Sequence, residues 1–110
     1  MIIKFNEIQE TEMKNFKGGE KSVFAKMIVD NNNRIMLSKL IPGSSIGEHT
    51  HENSSEIIFV IEGRGIIVCD GEKEVIEAGE CHYCKKGSTH TFINNSKENI
   101  IFYAVVPQHN

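Results

Sequence analysis

The sequence predicts an all-β domain, a sandwich or closed barrel built from short strands. Three observations carry that expectation. Runs of about four to eight residues rich in β-branched and aromatic side chains recur along the chain, each ended by turn residues. Asp70-Gly71 is among the strongest short hairpin signals, and Gly63-Arg64-Gly65 reads as another. No segment has a convincing helical period, Asn6 to Phe16 being the one weak candidate.

Taken in order, Ile2 to Ile8 reads as a first strand, followed by a polar stretch through Gly18-Gly19. Ser22 to Val29 and Arg34 to Ile41 read as two strands around Asn31-Asn32-Asn33, residues that tolerate the positive φ of a tight hairpin. Pro42-Gly43 ends the second. Seven runs follow: Gly47 to His51, Glu56 to Ile61, Gly65 to Cys69, Lys73 to Ile76, Cys81 to Cys84, Thr89 to Ile93 and Ile100 to Val106. Some, such as Ile57 to Ile61, are apolar on both faces, which suits a strand with one face inside a barrel and the other against a second sheet or subunit.

At 110 residues the chain is long enough for one packed core, so 1–110 is read as a single domain. Hydrophobic residues at 39% against 25% charged place it among folded globular chains rather than disordered ones. A net charge of −3 with no basic stripe argues against nucleic acid as a partner. No apolar run approaches the length of a membrane-spanning helix, and MIIKFNEIQE lacks the features of a signal peptide. The expected location is the cytoplasm, without a membrane partner.

Three cysteines, Cys69, Cys81 and Cys84, form no disulfide framework and should be reduced in that compartment. Cys81 and Cys84 make a C-x-x-C, but on a strand they point to opposite faces, and no second pair completes a tetrahedral site. They are read as ordinary buried thiols.

The chemistry is concentrated in Gly43 to Gly63. His49 and His51 stand two apart on a β-like segment, so both point to the same face, and Glu56 follows. Imidazole pairs and carboxylates so placed are natural ligands for a divalent metal. By the same alternation Ile58 and Val60 share the parity of Glu56, and Phe92 that of His90. These three are expected to line an apolar cavity suited to a small organic ligand. His82 is a weak candidate for a supporting or catalytic role.

Gly43, His49, His51, Glu56 and Gly63 match the first motif of the cupin superfamily, and Gly79, Gly87, His90 and Asn94 match its second. Nine of ten fixed positions agree with correct spacing; Lys85 stands where the family usually has proline, which leaves the turn before His90 less rigid. The chain thus closely resembles a small single-domain cupin, with motif one at 43–63 and motif two at 79–94. The resemblance implies a jelly-roll barrel and one divalent transition metal (Mn, Fe, Ni or Zn) held by His49, His51, Glu56 and His90. It also implies a homodimer. Three imidazoles and one carboxylate would leave about two positions of an octahedral ion open. The first functional expectation is a metalloenzyme acting on a small oxygenated molecule, of dioxygenase, decarboxylase or isomerase type. The second is a non-catalytic small-molecule or sugar-binding module or sensor.

Overall fold

In a computed structural model, residues 1–109 are described. Their ten strands are β1 (Thr11–Lys14), β2 (Ser22–Val29), β3 (Asn33–Leu40), β4 (Ser45–Thr50), β5 (Glu56–Glu62), β6 (Arg64–Cys69), β7 (Glu72–Glu77), β8 (Cys81–Cys84), β9 (Thr89–Ile93) and β10 (Ile100–Pro107). They form a six-stranded sheet, in the order β1-β2-β3-β10-β5-β8, and a four-stranded sheet, β4-β9-β6-β7. This is the jelly roll that the two motifs imply, with no α-helix among the described residues.

Strand β10 shows how the sequence builds the barrel. Ile100, Phe102, Ala104 and Val106 alternate inward and are buried, while Tyr103 faces out. Its backbone pairs over its full length with β3, from Ile100↔Leu40 to Pro107↔Asn33, and on its other edge with β5. Phe102 meets Phe92 of the opposite sheet with ring centroids 5.1 Å apart. Val23, Met36, Leu40 and Ile58 from one sheet and Ile46, Ile67 and Ile76 from the other complete one continuous core. Each such large side chain contributes about 1.5–3 kcal/mol by leaving water.

Several local expectations are corrected. Ile2 to Ile8 is not a strand: it holds a short 3-10 turn at Phe5–Glu7, and the edge of the sheet is taken instead by β1, paired from Thr11↔Ala25 to Lys14↔Ser22. The segment Asn6 to Phe16 accordingly holds no α-helix, only parts of two short 3-10 turns on either side of β1. The β2–β3 turn uses no positive φ at its asparagines. Instead the Asp30 carboxylate accepts the N–H groups of Asn32 and Asn33, both at 2.8 Å, which closes the turn from the side. Gly63 is not a hairpin turn either, because β5 and β6 lie in different sheets. There the chain crosses between sheets, with φ of +85° and a Cβ-sized space only 2.6 Å from the Asn99 carbonyl, so a side chain is excluded twice over. Asp70-Gly71 is a true hairpin, both residues having positive φ (50° and 83°).

Candidate metal centre

Four side chains from three strands and one loop converge at one end of the barrel. His49 on β4 lies directly across from His90 on β9, and His51 follows just after β4. Glu56 opens β5 in the other sheet. A register shift between Ile46 and His49 marks a bulge in β4, the kind of irregularity that re-aims side chains beside a site. Glu48 is exposed and points away.

The three Nε2 atoms stand 3.1 Å (His49–His51), 3.1 Å (His51–His90) and 3.2 Å (His49–His90) apart. Oε1 of Glu56 lies 2.9 Å from His90, 3.1 Å from His51 and 3.8 Å from His49. Adjacent ligands of an octahedral ion with bonds of about 2.1 Å stand about 3.0 Å apart, and opposite ligands about 4.2 Å. The spacing therefore matches a face of three histidines, with the carboxylate beside two of them and farther from His49. One tautomer is fixed by chemistry: Nδ1 of His49 lies 2.7 Å from the Gly47 carbonyl, which only accepts, so Nδ1 carries the hydrogen and Nε2 presents a lone pair. Lone pairs and a carboxylate turned toward one buried point fit a cation there.

Each histidine has a partner on its second nitrogen, the arrangement that orients ligands to a metal. Gly47 serves His49. Ser54 Oγ serves His51 at 2.8 Å, and His82 Nε2 serves His90 at 3.0 Å. Motif spacing did not identify these three. His82 has a readable signal, since it stands two residues from Cys84 on the inward parity of β8. Gly47 also has no room for a side chain, since a Cβ there would lie 2.0 Å from the Lys17 carbonyl. The turn before His90 is tied to the centre by the backbone, Gly87 N–H donating to the His51 carbonyl at 2.7 Å and His51 N–H to Ser88 at 3.0 Å. Those bonds supply the rigidity that Lys85, in place of proline, does not.

Burial opposes ionisation of Glu56, but the imidazoles of His49, His51 and His90 set against it outweigh that and hold the carboxyl well below its ordinary range. His82 is pushed down to about 4, by burial first and then by the neighbouring His90. Burial likewise pushes the Cys84 thiol up to about 12.

The centre opens on a cleft of about 430 Å³ bordered by His49, His51 and Glu56 together with Phe16, Val29, Met36 and Val106, and by two cations, Lys17 and Arg34. Ile58, Val60 and Phe92 face inward as alternation requires, yet they do not border this cleft. They are 0%, 3% and 1% exposed and lie in the packed core, because the interior of so small a barrel is filled by side chains. Asn94 is fully buried and satisfied: its amide donates to the carbonyls of Leu40 and Glu98, and its Oδ1 accepts from Ser96, which fixes the turn after β9. Cys81 and Cys84 do point to opposite faces, but Cys81 is exposed, not buried.

Comparison with known proteins agrees with this fold. An oxalate-binding protein of Thermotoga maritima is 30% identical over 112 residues, covering 96% of this chain and 93% of that one. The crystal structure of a predicted oxalate decarboxylase, also from Thermotoga maritima, superposes with a TM-score of 0.91 at 29% identity, over 98% of this chain and 99% of the other. A conserved-barrel cupin protein of Salinispora arenicola gives a TM-score of 0.76 at 26% identity, over 98% and 88%. The family model for the cupin domain matches residues 36–106, and the chain belongs to the cupins.

Proposed function

We propose that this chain holds one divalent transition-metal ion on His49, His51, Glu56 and His90 and takes a small organic acid, of the oxalate class, in the cleft above it. The observation that carries the reading is the convergence of four ligand atoms beside a cleft that also presents Lys17 and Arg34. The relatives described as oxalate-binding and as a predicted oxalate decarboxylase support the substrate class.

The ion, when bound, supplies Lewis-acid polarisation of ligand oxygens, or redox chemistry if it is Mn, Fe or Ni. The protein's part is to position. Gly47, Ser54 and His82 hold the three imidazoles in orientation. Arg34 offers a planar fork that suits a carboxylate, and Val29, Met36 and Val106 make part of the wall apolar.

Binding is favoured over acid–base catalysis by one feature of the cleft. Among the described residues its only carboxylate besides Glu56 is Asp30, which is committed to the β2–β3 turn. The N–H groups of Asn32 and Asn33 lower its pKa, so it is a poor proton acceptor. The enzymatic reading keeps the same ligands and relies on the metal alone for chemistry. Calorimetric titration of oxalate into metal-loaded protein tests the proposal: binding should vanish on metal removal and weaken at least tenfold in Arg34→Gln. Equal binding with and without metal would refute it. Carbon dioxide release or oxygen uptake from bound oxalate would move the assignment from binder to enzyme.

The reading extends to assembly and location. Phe59, Ile61, Tyr83 and Tyr103 are 53%, 44%, 56% and 37% exposed on the outer face of the six-stranded sheet, with Tyr103 directly across from Phe59. This apolar strip supports a homodimer, in which a second copy covers it. Three cysteines outside any disulfide support a reducing, cytoplasmic location. No helix among the described residues is long and apolar enough to cross a membrane.

A further inference from the structure

A second cluster of metal-binding side chains lies beside the first. Cys69 at the end of β6, with His82 and Cys84 on β8, brings two sulfurs and an imidazole nitrogen within 4.8 Å of one another. His82 and Cys84 stand two apart and share the inward face of β8, while Cys81 and Tyr83 alternate outward and are exposed. The opposite sheet supplies Cys69. Cys69 and His82 border a cleft of about 580 Å³, separate from the first, whose rim carries Asp70, Glu72, Glu74, Glu80 and Lys85.

We propose that Cys69, His82 and Cys84 form a second metal site, selective for a thiophilic divalent ion such as Zn²⁺. Two sulfurs and an imidazole are a soft donor set, unlike the nitrogen and oxygen donors of the first centre. Ligand atoms of a tetrahedral zinc site stand about 3.3–3.8 Å apart, so donors already within 4.8 Å close on an ion by side-chain rotation. Binding releases two thiol protons to solvent. The resulting pair of thiolates neutralises the ion, which matters because Cys84 is fully buried. Three protein ligands leave the fourth position free for water or a ligand.

The two centres meet at His82, whose Nε2 lies against Nδ1 of His90. If Nε2 of His82 binds the second ion, it no longer accepts a hydrogen bond from His90. If Nδ1 binds, Nε2 carries the hydrogen and again cannot accept. Filling the thiol site therefore withdraws support from a ligand of the first centre, and the two oppose each other.

The test uses Co²⁺ added to reduced, metal-stripped protein. The wild type is expected to show a thiolate-to-cobalt charge-transfer band. His49→Ala/His51→Ala should keep that band while losing the first ion, and Cys69→Ser should lose the band while keeping the first ion. Cys81→Ser should retain both. No band in the wild type, or one that survives Cys69→Ser or disappears in Cys81→Ser, overturns the proposal. A thiol-reagent count on the wild type gives a check that needs no variant: Zn²⁺ should protect half-buried Cys69 while exposed Cys81 stays reactive, and a Cys69 that reacts as fast with Zn²⁺ as without is an equal refutation. Failure of the first centre appears separately, as unchanged metal content in His49→Ala/His51→Ala with the band intact.

Discussion

Replacing Gly47 with alanine should damage both the fold and the metal centre, although Gly47 binds nothing through a side chain. Its φ is not in the left-handed region, so the alanine backbone itself carries no strain, and a stiffer unfolded chain would favour the variant by about 0.4–1 kcal/mol. Against this, the new Cβ would stand 2.0 Å from the Lys17 carbonyl and 2.7 Å from the Gly19 nitrogen. Both are backbone atoms that cannot rotate away. The 3-10 turn Phe16–Gly18 must therefore move off β4, an overpacking penalty of about 1–3 kcal/mol that exceeds the entropic gain. The net cost, up to about 2.6 kcal/mol, lowers Tm by up to about 10–20 °C for a domain of this size. The same shift disturbs the Gly47 carbonyl that orients His49, and lost orienting partners typically weaken metal binding about 10–100-fold. Thermal melts of metal-free protein and calorimetric metal titration measure the two effects. A variant as stable as the wild type, with unchanged metal affinity, would refute the close approach and the orienting role together.

Phe92→Ala, which removes a ring buried against Phe102, should destabilise by about 3–5 kcal/mol in urea titration while leaving metal stoichiometry unchanged in the folded fraction. His82→Ala leaves His90 without its partner and should weaken the first metal about 10–100-fold with far-UV circular dichroism unchanged. Phe59→Ser/Tyr103→Ser should shift light-scattering mass from dimer to monomer without loss of metal. Asp30→Asn should flatten the acid limb of stability. The Asp30 carboxyl is held below its ordinary 3.8 by two N–H donors, so the wild type has this contribution above that pH and loses it as pH falls below. Melts at about pH 7 and about pH 3 should therefore differ less in the variant.

Strand positions from Ser22 onward were legible because each inward face carries apolar residues at a period of two and each end carries a turn residue. The N-terminal segment was not. Ile2, Ile3, Phe5 and Ile8 look like a strand, but pairing depends on which segment reaches the free edge of β2, and the polar run Thr11–Lys14 reaches it. Gly63 looked like a hairpin because a turn glycine is the same residue whether the chain folds back or crosses to the facing sheet. The four converging side chains were readable from the motif spacing together with the family resemblance. Of their supports, only His82, which touches His90 across the barrel, was a candidate from the sequence; Gly47 acts through its carbonyl and Ser54 through a loop, and neither shows in a motif. Ile58, Val60 and Phe92 show the limit of parity, which says that a side chain points inward but not whether it meets a cavity or the core.

Metal content of protein purified without added metal tests the central claim most directly. Elemental analysis of a Cys69→Ser background, which isolates the first centre, should find close to one transition-metal ion per chain. The same protein carrying His49→Ala/His51→Ala should hold less than about a tenth of that, because two of the four ligands are gone. Equal metal in both proteins, or none in either after incubation with Mn, Fe, Ni or Zn, would contradict the account.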